Sequence, residues 1–98
     1  MLEIGVDFSD LSLYYDRRRN IVVGWTGVGT RHPLCSYLKW SIEGSSRIYV
    51  SGDVIEIDID GLTYRHAPSL RIRTFIWRIN ATIPFGVPVF GGDTFSCF

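Results

Sequence analysis

The sequence predicts an all-β fold: a small single-domain β-sandwich or partly open barrel of about six to seven short antiparallel strands. Three observations carry this expectation. Apolar residues recur at every second position through most of the chain. Turn-forming residues return roughly every ten positions. No segment holds a helical period over three turns.

Each element follows in order. "LEIGVDF" sets Leu2, Ile4, Val6 and Phe8 on one face and Glu3 and Asp7 on the other. "LSLYY" and "IVVGW" flank the polar pentad "DRRRN", so Leu11, Leu13 and Tyr15 are expected beside Ile21, Val23 and Trp25 in a hairpin. The best helical alternative covers residues 10–18, with Ser9 or Asp10 as the cap. "TGVGTRHP" reads as a loop, because it is glycine-rich and ends in proline. "LCSYLKWSI" places Leu34, Leu38, Trp40 and Ile42 on one side of a strand. "EGSS" turns the chain, "RIYVS" is a short strand, and Gly52 and Asp53 turn it again into "VIEIDI". "LTYRHAPS" reads as a looser connection.

"LRIRTFIWRI" changes phase as a strand. Leu70 and Ile72 lie on one face, and after Thr74 the apolar set becomes Phe75, Trp77 and Ile79. A shift of one residue moves every side chain to the other face. The strand reading therefore requires a bulge near Thr74 or cover on both faces of the distal half. The tail, residues 83–98, carries Phe85, Phe90, Phe95 and Phe98 among Pro84, Pro88, Gly86, Gly91 and Gly92. Its prolines exclude a central strand. So many aromatic rings call for packing on the sheet or on a partner.

Composition bounds the function. The chain has 98 residues, 46% of them hydrophobic, which suits one globular domain, residues 1–98. Ten acidic and ten basic residues cancel, so no global field attracts nucleic acid or an anionic membrane. Nine of the ten basic residues are Arg and only Lys39 is Lys. This bias reflects codon usage or a need for the guanidinium fork, which grips carboxylates and phosphates and stacks on rings. The N-terminal residues show no basic, apolar leader. No apolar run approaches membrane-spanning length. The expectation is a soluble, intracellular, cytoplasmic protein without membrane attachment, with Cys35 and Cys97 reduced and not joined to each other. "NAT" at Asn80 matches a glycosylation sequon, which has no use in that setting.

Glu56, Asp58 and Asp60 alternate with Ile55, Ile57 and Ile59. Alternate strand residues sit about 6.5 Å apart on one face, which places Glu56 about 13 Å from Asp60. A straight strand cannot converge three such carboxylates on one cation. Arg71 and Arg73 repeat the alternation with opposite sign, so the expected arrangement is a wet, charge-paired sheet face with Glu56 and Asp58 opposite those arginines. "SGDVIEIDIDG" specifies a turn and a half-buried strand and marks no family.

No catalytic, metal or cofactor site is predicted. Cys35 could pair with His32 or His66 as a nucleophile, but a buried structural thiol accounts for it as well. Ser45 and Ser46 lie in no nucleophile elbow. "GVGT" lacks the Lys-Ser/Thr of a P-loop. The binding candidates are Tyr14, Tyr15, Arg17, Arg18, Arg19, Arg47 and Tyr49, and the interface candidates are Phe75, Trp77, Phe85, Phe90 and Phe95. The expected function is that of a non-catalytic protein-interaction module of the kind used as a viral or phage accessory protein or an immunity-type inhibitor. Its protein partner is unspecified, and it is expected to self-associate. The alternative is a nucleic-acid-binding β domain, with Arg17, Arg18, Arg19, Arg47, Arg71 and Arg73 on phosphates and Tyr14, Tyr15 and Tyr49 stacking on bases.

Overall fold

The computed structural model, which describes residues 5–82 and 85–92, turns three of the expected strand regions into helices. Along the chain run α1 (Phe8–Asp16), β1 (Val22–Trp25), α2 (Pro33–Ser41), β2 (Ser45–Val50), β3 (Ile55–Ile59), β4 (Leu62–His66), α3 (Leu70–Thr82) and β5 (Pro88–Phe90). The fold is thus mixed α/β and neither a β-sandwich nor a barrel. The described strands form one antiparallel sheet in the order β2-β3-β4 and a two-stranded ribbon, β1-β5.

Helix α1 starts at Asp7, whose carboxylate accepts hydrogen bonds from the Ser9 and Asp10 amides at 2.9 and 3.4 Å. The cap therefore lies upstream of Ser9 and Asp10. Leu11, Tyr14 and Tyr15 form the buried face at helical spacing. Leu13, expected beside Leu11, faces out instead. No hairpin joins residues 11–15 to residues 21–25, and the arginine run lies at the C-terminal end of α1 rather than at a hairpin tip. Cations there complement the partial negative charge of the helix end.

Helix α2 has Pro33 at its first position, where the missing N–H costs nothing. His32 caps it: Nδ1 accepts the Leu34 amide proton at 3.1 Å. Leu34, Cys35, Tyr37 and Leu38 are buried, while Trp40 is 57% exposed and so does not share the inward face.

Helix α3 explains the phase change. Ile72, Phe75, Ile76 and Ile79 are all buried, and their spacing is i, i+3, i+4, i+7. The Ser69 hydroxyl accepts the Ile72 amide proton at 3.3 Å at the start of this helix. Neither a bulge nor a second cover is needed, because the segment is not a strand.

The three-stranded sheet keeps the expected alternation. Ile48, Val50, Ile55 and Ile57 point into the core, and Arg47, Tyr49, Glu56 and Asp58 occupy the other face. The Ser51 hydroxyl accepts the Asp53 and Val54 amide protons in the β2–β3 turn. The segment expected as a loose connection contains strand β4. It pairs with β3 across Asp60 and Gly61, whose φ angles of 51° and 79° are those of a tight two-residue hairpin turn.

The described part of the tail packs on its own chain. Val89 is buried in the core, opposite Gly24. Pro88 sits in the two-stranded ribbon, where a missing donor is tolerated. Gly91 donates to the Ile21 carbonyl at 3.0 Å, and a Cβ there would lie 2.5 Å from the Arg18 carbonyl oxygen. Phe95, Cys97 and Phe98 lie outside the described residues.

Candidate binding cleft

The charge-paired sheet face exists, with different partners from those expected. Arg47 on β2 reaches Asp58 at 3.0 Å and Glu56 at 3.2 Å, and Arg65 on β4 reaches Glu56 at 3.1 Å. Thr63 donates to Asp58 at 2.7 Å. The Thr63 and Arg47 hydrogen bonds hold the Asp58 carboxyl below its usual range. Arg71 and Arg73 sit on α3 instead. Arg71 lies 4.1 Å above the Phe8 ring, and the buried Nε of Arg73 has no hydrogen-bond partner among the described residues. Among those residues no group of three or more His, Cys, Asp or Glu side chains is placed to hold a metal ion.

A cleft that combines exposed aromatic and charged side chains lies between α1 and α2. Asp10, Leu13, Tyr14, Arg17 and Arg18 occupy positions i, i+3, i+4, i+7 and i+8 of α1 and its C-terminal end, so they form one stripe. Trp40 of α2 forms the opposite wall of a cleft of about 240 Å³. Aromatic packing fixes the floor. The Tyr14 ring lies 5.2 Å from Trp40, 5.7 Å from Tyr37 and 5.1 Å from Tyr15. The Arg18 guanidinium stands 3.7 Å above the Tyr14 ring, and its Nη1 donates to the Tyr14 carbonyl at 3.4 Å. Burial raises the Tyr14 hydroxyl pKa, and Arg18 opposes that rise.

Among the described residues Asp10, Arg17 and Arg18 take part in no ion pair. The cleft therefore carries unspent charge at both ends of an apolar middle, where Leu13 is 49% exposed beside the outward-facing Trp40.

The remaining sequence candidates are dispersed. Tyr15 is fully buried and donates its hydroxyl proton to the Pro33 carbonyl, which ties α1 to α2 and leaves it no access to a ligand. Arg19 turns toward Gly92, and its backbone bridges to Gly91. Arg47 and Tyr49 lie on the sheet face. Phe75 is in the core. Trp77 is 52% exposed next to Gly52, and Phe85 is 74% exposed next to Gly27. Phe90 stands on β5 opposite Val22.

The Cys35 thiol is buried and donates to the Gly29 carbonyl at 3.4 Å. Burial pushes its pKa up to about 12, opposite to the shift that activates a nucleophilic thiol. Three cleft residues, Asp10, Leu13 and Trp40, were not among the sequence candidates. The signal that finds the first two is the helical stripe they share with Tyr14 and Arg17. Among the described residues no helix is long and apolar enough to cross a membrane. No protein-family model, curated protein or solved structure matches the chain.

Proposed function

We propose that the chain is a non-catalytic protein-interaction module that seats a partner's side chain in the α1–α2 cleft. The observation that carries this reading is the pairing of exposed Trp40 and Leu13 with two guanidinium groups that have no carboxylate partner among the described residues. Trp, Tyr and Arg dominate the energetic centres of protein interfaces, because each offers a large contact area and a directed polar group. The cleft is smaller than the roughly 300–1,000 Å³ of most small-molecule sites. It suits one anchoring side chain on a larger partner surface.

Paired affinity capture from the native source, using the wild type and Trp40→Ala, tests the reading. A specific protein retained by the wild type and lost from the variant is the expected result. Equal retention by both would remove the cleft from the interface. Saturable binding of an oligo-dT strand that weakens steeply with salt would favour the nucleic-acid reading instead.

A further inference from the structure

We propose that the cleft reads charge polarity. Its occupant is an extended protein segment with an aromatic or branched apolar anchor, a carboxylate at the Arg17–Arg18 end and a basic side chain at the Asp10 end. This inference rests on the interaction reading above and adds the chemistry of the partner.

The geometry comes from one helix. Asp10 stands in the first turn of α1, and Arg17 caps its C-terminus. Seven residues at 1.5 Å each separate them by about 10 Å along the axis. An extended chain covers that distance in roughly three residues. A base and an acid three positions apart, with a large apolar residue between them, thus place every group against its complement. The apolar residue meets Leu13, Tyr14 and the outer face of Trp40.

The macrodipole accounts for an acid at the start of a helix and for cations at its end without any ligand. It does not account for Leu13 and Trp40 left half in water between them. Nor does it explain why these charges meet no opposite charge among the described residues while Arg47 and Arg65 on the sheet both hold carboxylates. A nucleic-acid backbone fits less well, since Asp10 would repel phosphate and the chain has no net positive charge.

The probe is a set of synthetic blocked peptides of one composition. Each carries one Trp, one Glu and one Lys in a Ser-Gly context, with the charges on either side of Trp in both orders and at several spacings. Fluorescence anisotropy is read with wild type, Asp10→Asn, Trp40→Ala and the charge-swapped Asp10→Arg/Arg17→Glu/Arg18→Glu protein. The wild type should prefer one order of Lys and Glu about Trp over the reverse order, by about tenfold. Asp10→Asn should remove most of that preference, and the charge-swapped protein should prefer the opposite order. The swap also reverses the favourable dipole signs. If that protein does not fold, Asp10→Asn and Arg17→Gln, each of which removes one charge, decide the matter.

Binding that depends on Trp40 but ignores charge placement would overturn the polarity and leave the interaction reading standing. Peptides that bind equally to wild type and Trp40→Ala, or do not bind, would overturn both. Tighter oligo-dT binding by Asp10→Asn, with no peptide preference in the wild type, would assign the cleft to nucleic acid.

Discussion

Mild acid should destabilise this protein through a single residue, His32. Its side chain is 1% exposed. Nδ1 accepts the Leu34 amide proton, so the neutral ring carries its own proton on Nε2, which has no hydrogen-bond partner among the described residues. Protonation would place a buried charge there and put a second N–H against the Leu34 donor. Burial accordingly lowers the His32 pKa from 6.5 to about 4. Above the unfolded value both states are neutral, and His32 gives stability no pH dependence. As pH falls from 6.5 toward 4, the unfolded chain takes up a proton that the folded chain refuses, and stability drops. At 1.36 kcal/mol per pKa unit the loss reaches about 3 kcal/mol. For a domain of this size that corresponds to a fall in Tm of roughly 12–24 °C.

The comparison variant is His32→Asn, which retains an acceptor for the helix cap and does not titrate. Urea unfolding of both proteins at a series of pH values measures the difference, because every other group is common to both. Wild type should lose about 3 kcal/mol more than the variant between pH 7 and pH 4. Parallel loss in the two proteins would refute the argument, as would an NMR titration that places the His32 imidazole near its ordinary value.

Ile76→Ala should cost about 2–4 kcal/mol in chemical unfolding, because Ile76 is 1% exposed. Trp77→Ala should cost less than about 1.5 kcal/mol, because half its surface is already in water; the reverse order would restore the strand phase. Gly91→Ala drives a methyl group into the Arg18 and Tyr15 carbonyls at 2.5 and 2.7 Å, so a loss of about 2 kcal/mol or more in a thermal melt is expected. Cys35 should resist an aromatic disulfide reagent in the native state and react at once in denaturant; rapid native reaction would contradict both its burial and its raised pKa. We also propose self-association through the exposed Trp77 and Phe85. Sedimentation equilibrium should show an assembly that Trp77→Lys/Phe85→Ser dissociates, and a wild-type mass of 11.2 kDa at micromolar concentration would exclude it. These exposed positions test the idea better than tail truncation, which would also remove buried Val89.

Local pattern alone determined the strands β2 and β3 and the wet face between them. Ile55, Ile57 and Ile59 alternate with acids, and period two over such a run admits one buried face. The loop at residues 26–33 was legible from its glycines, and Gly27 and Gly29 do take positive φ. The Asp60-Gly61 hairpin is equally legible, since Asp-Gly between strand residues is the strongest short-range hairpin signal. The short helices resisted for a geometric reason. Leu11 and Tyr15, or Leu34 and Leu38, are four residues apart, and four is both one helical turn and two strand repeats. With nine residues each, α1 and α2 are too short for the periods to diverge. Only α3 has the length to break period two, and the step from Ile72 to Phe75 and Ile76 does so.

Tertiary structure decided the rest. Arg47, Arg65, Arg71 and Arg73 all stand near an alternating pattern, and only strand order selects Arg47 and Arg65 as partners of Glu56 and Asp58. The cleft has the same origin. Tyr14 and Arg18 belong to one helix and Trp40 to another, and no local rule joins them. They meet because the buried faces of α1 and α2 share one core and Tyr15 ties the two helices at the Pro33 carbonyl, which leaves Trp40 standing over the Tyr14 ring.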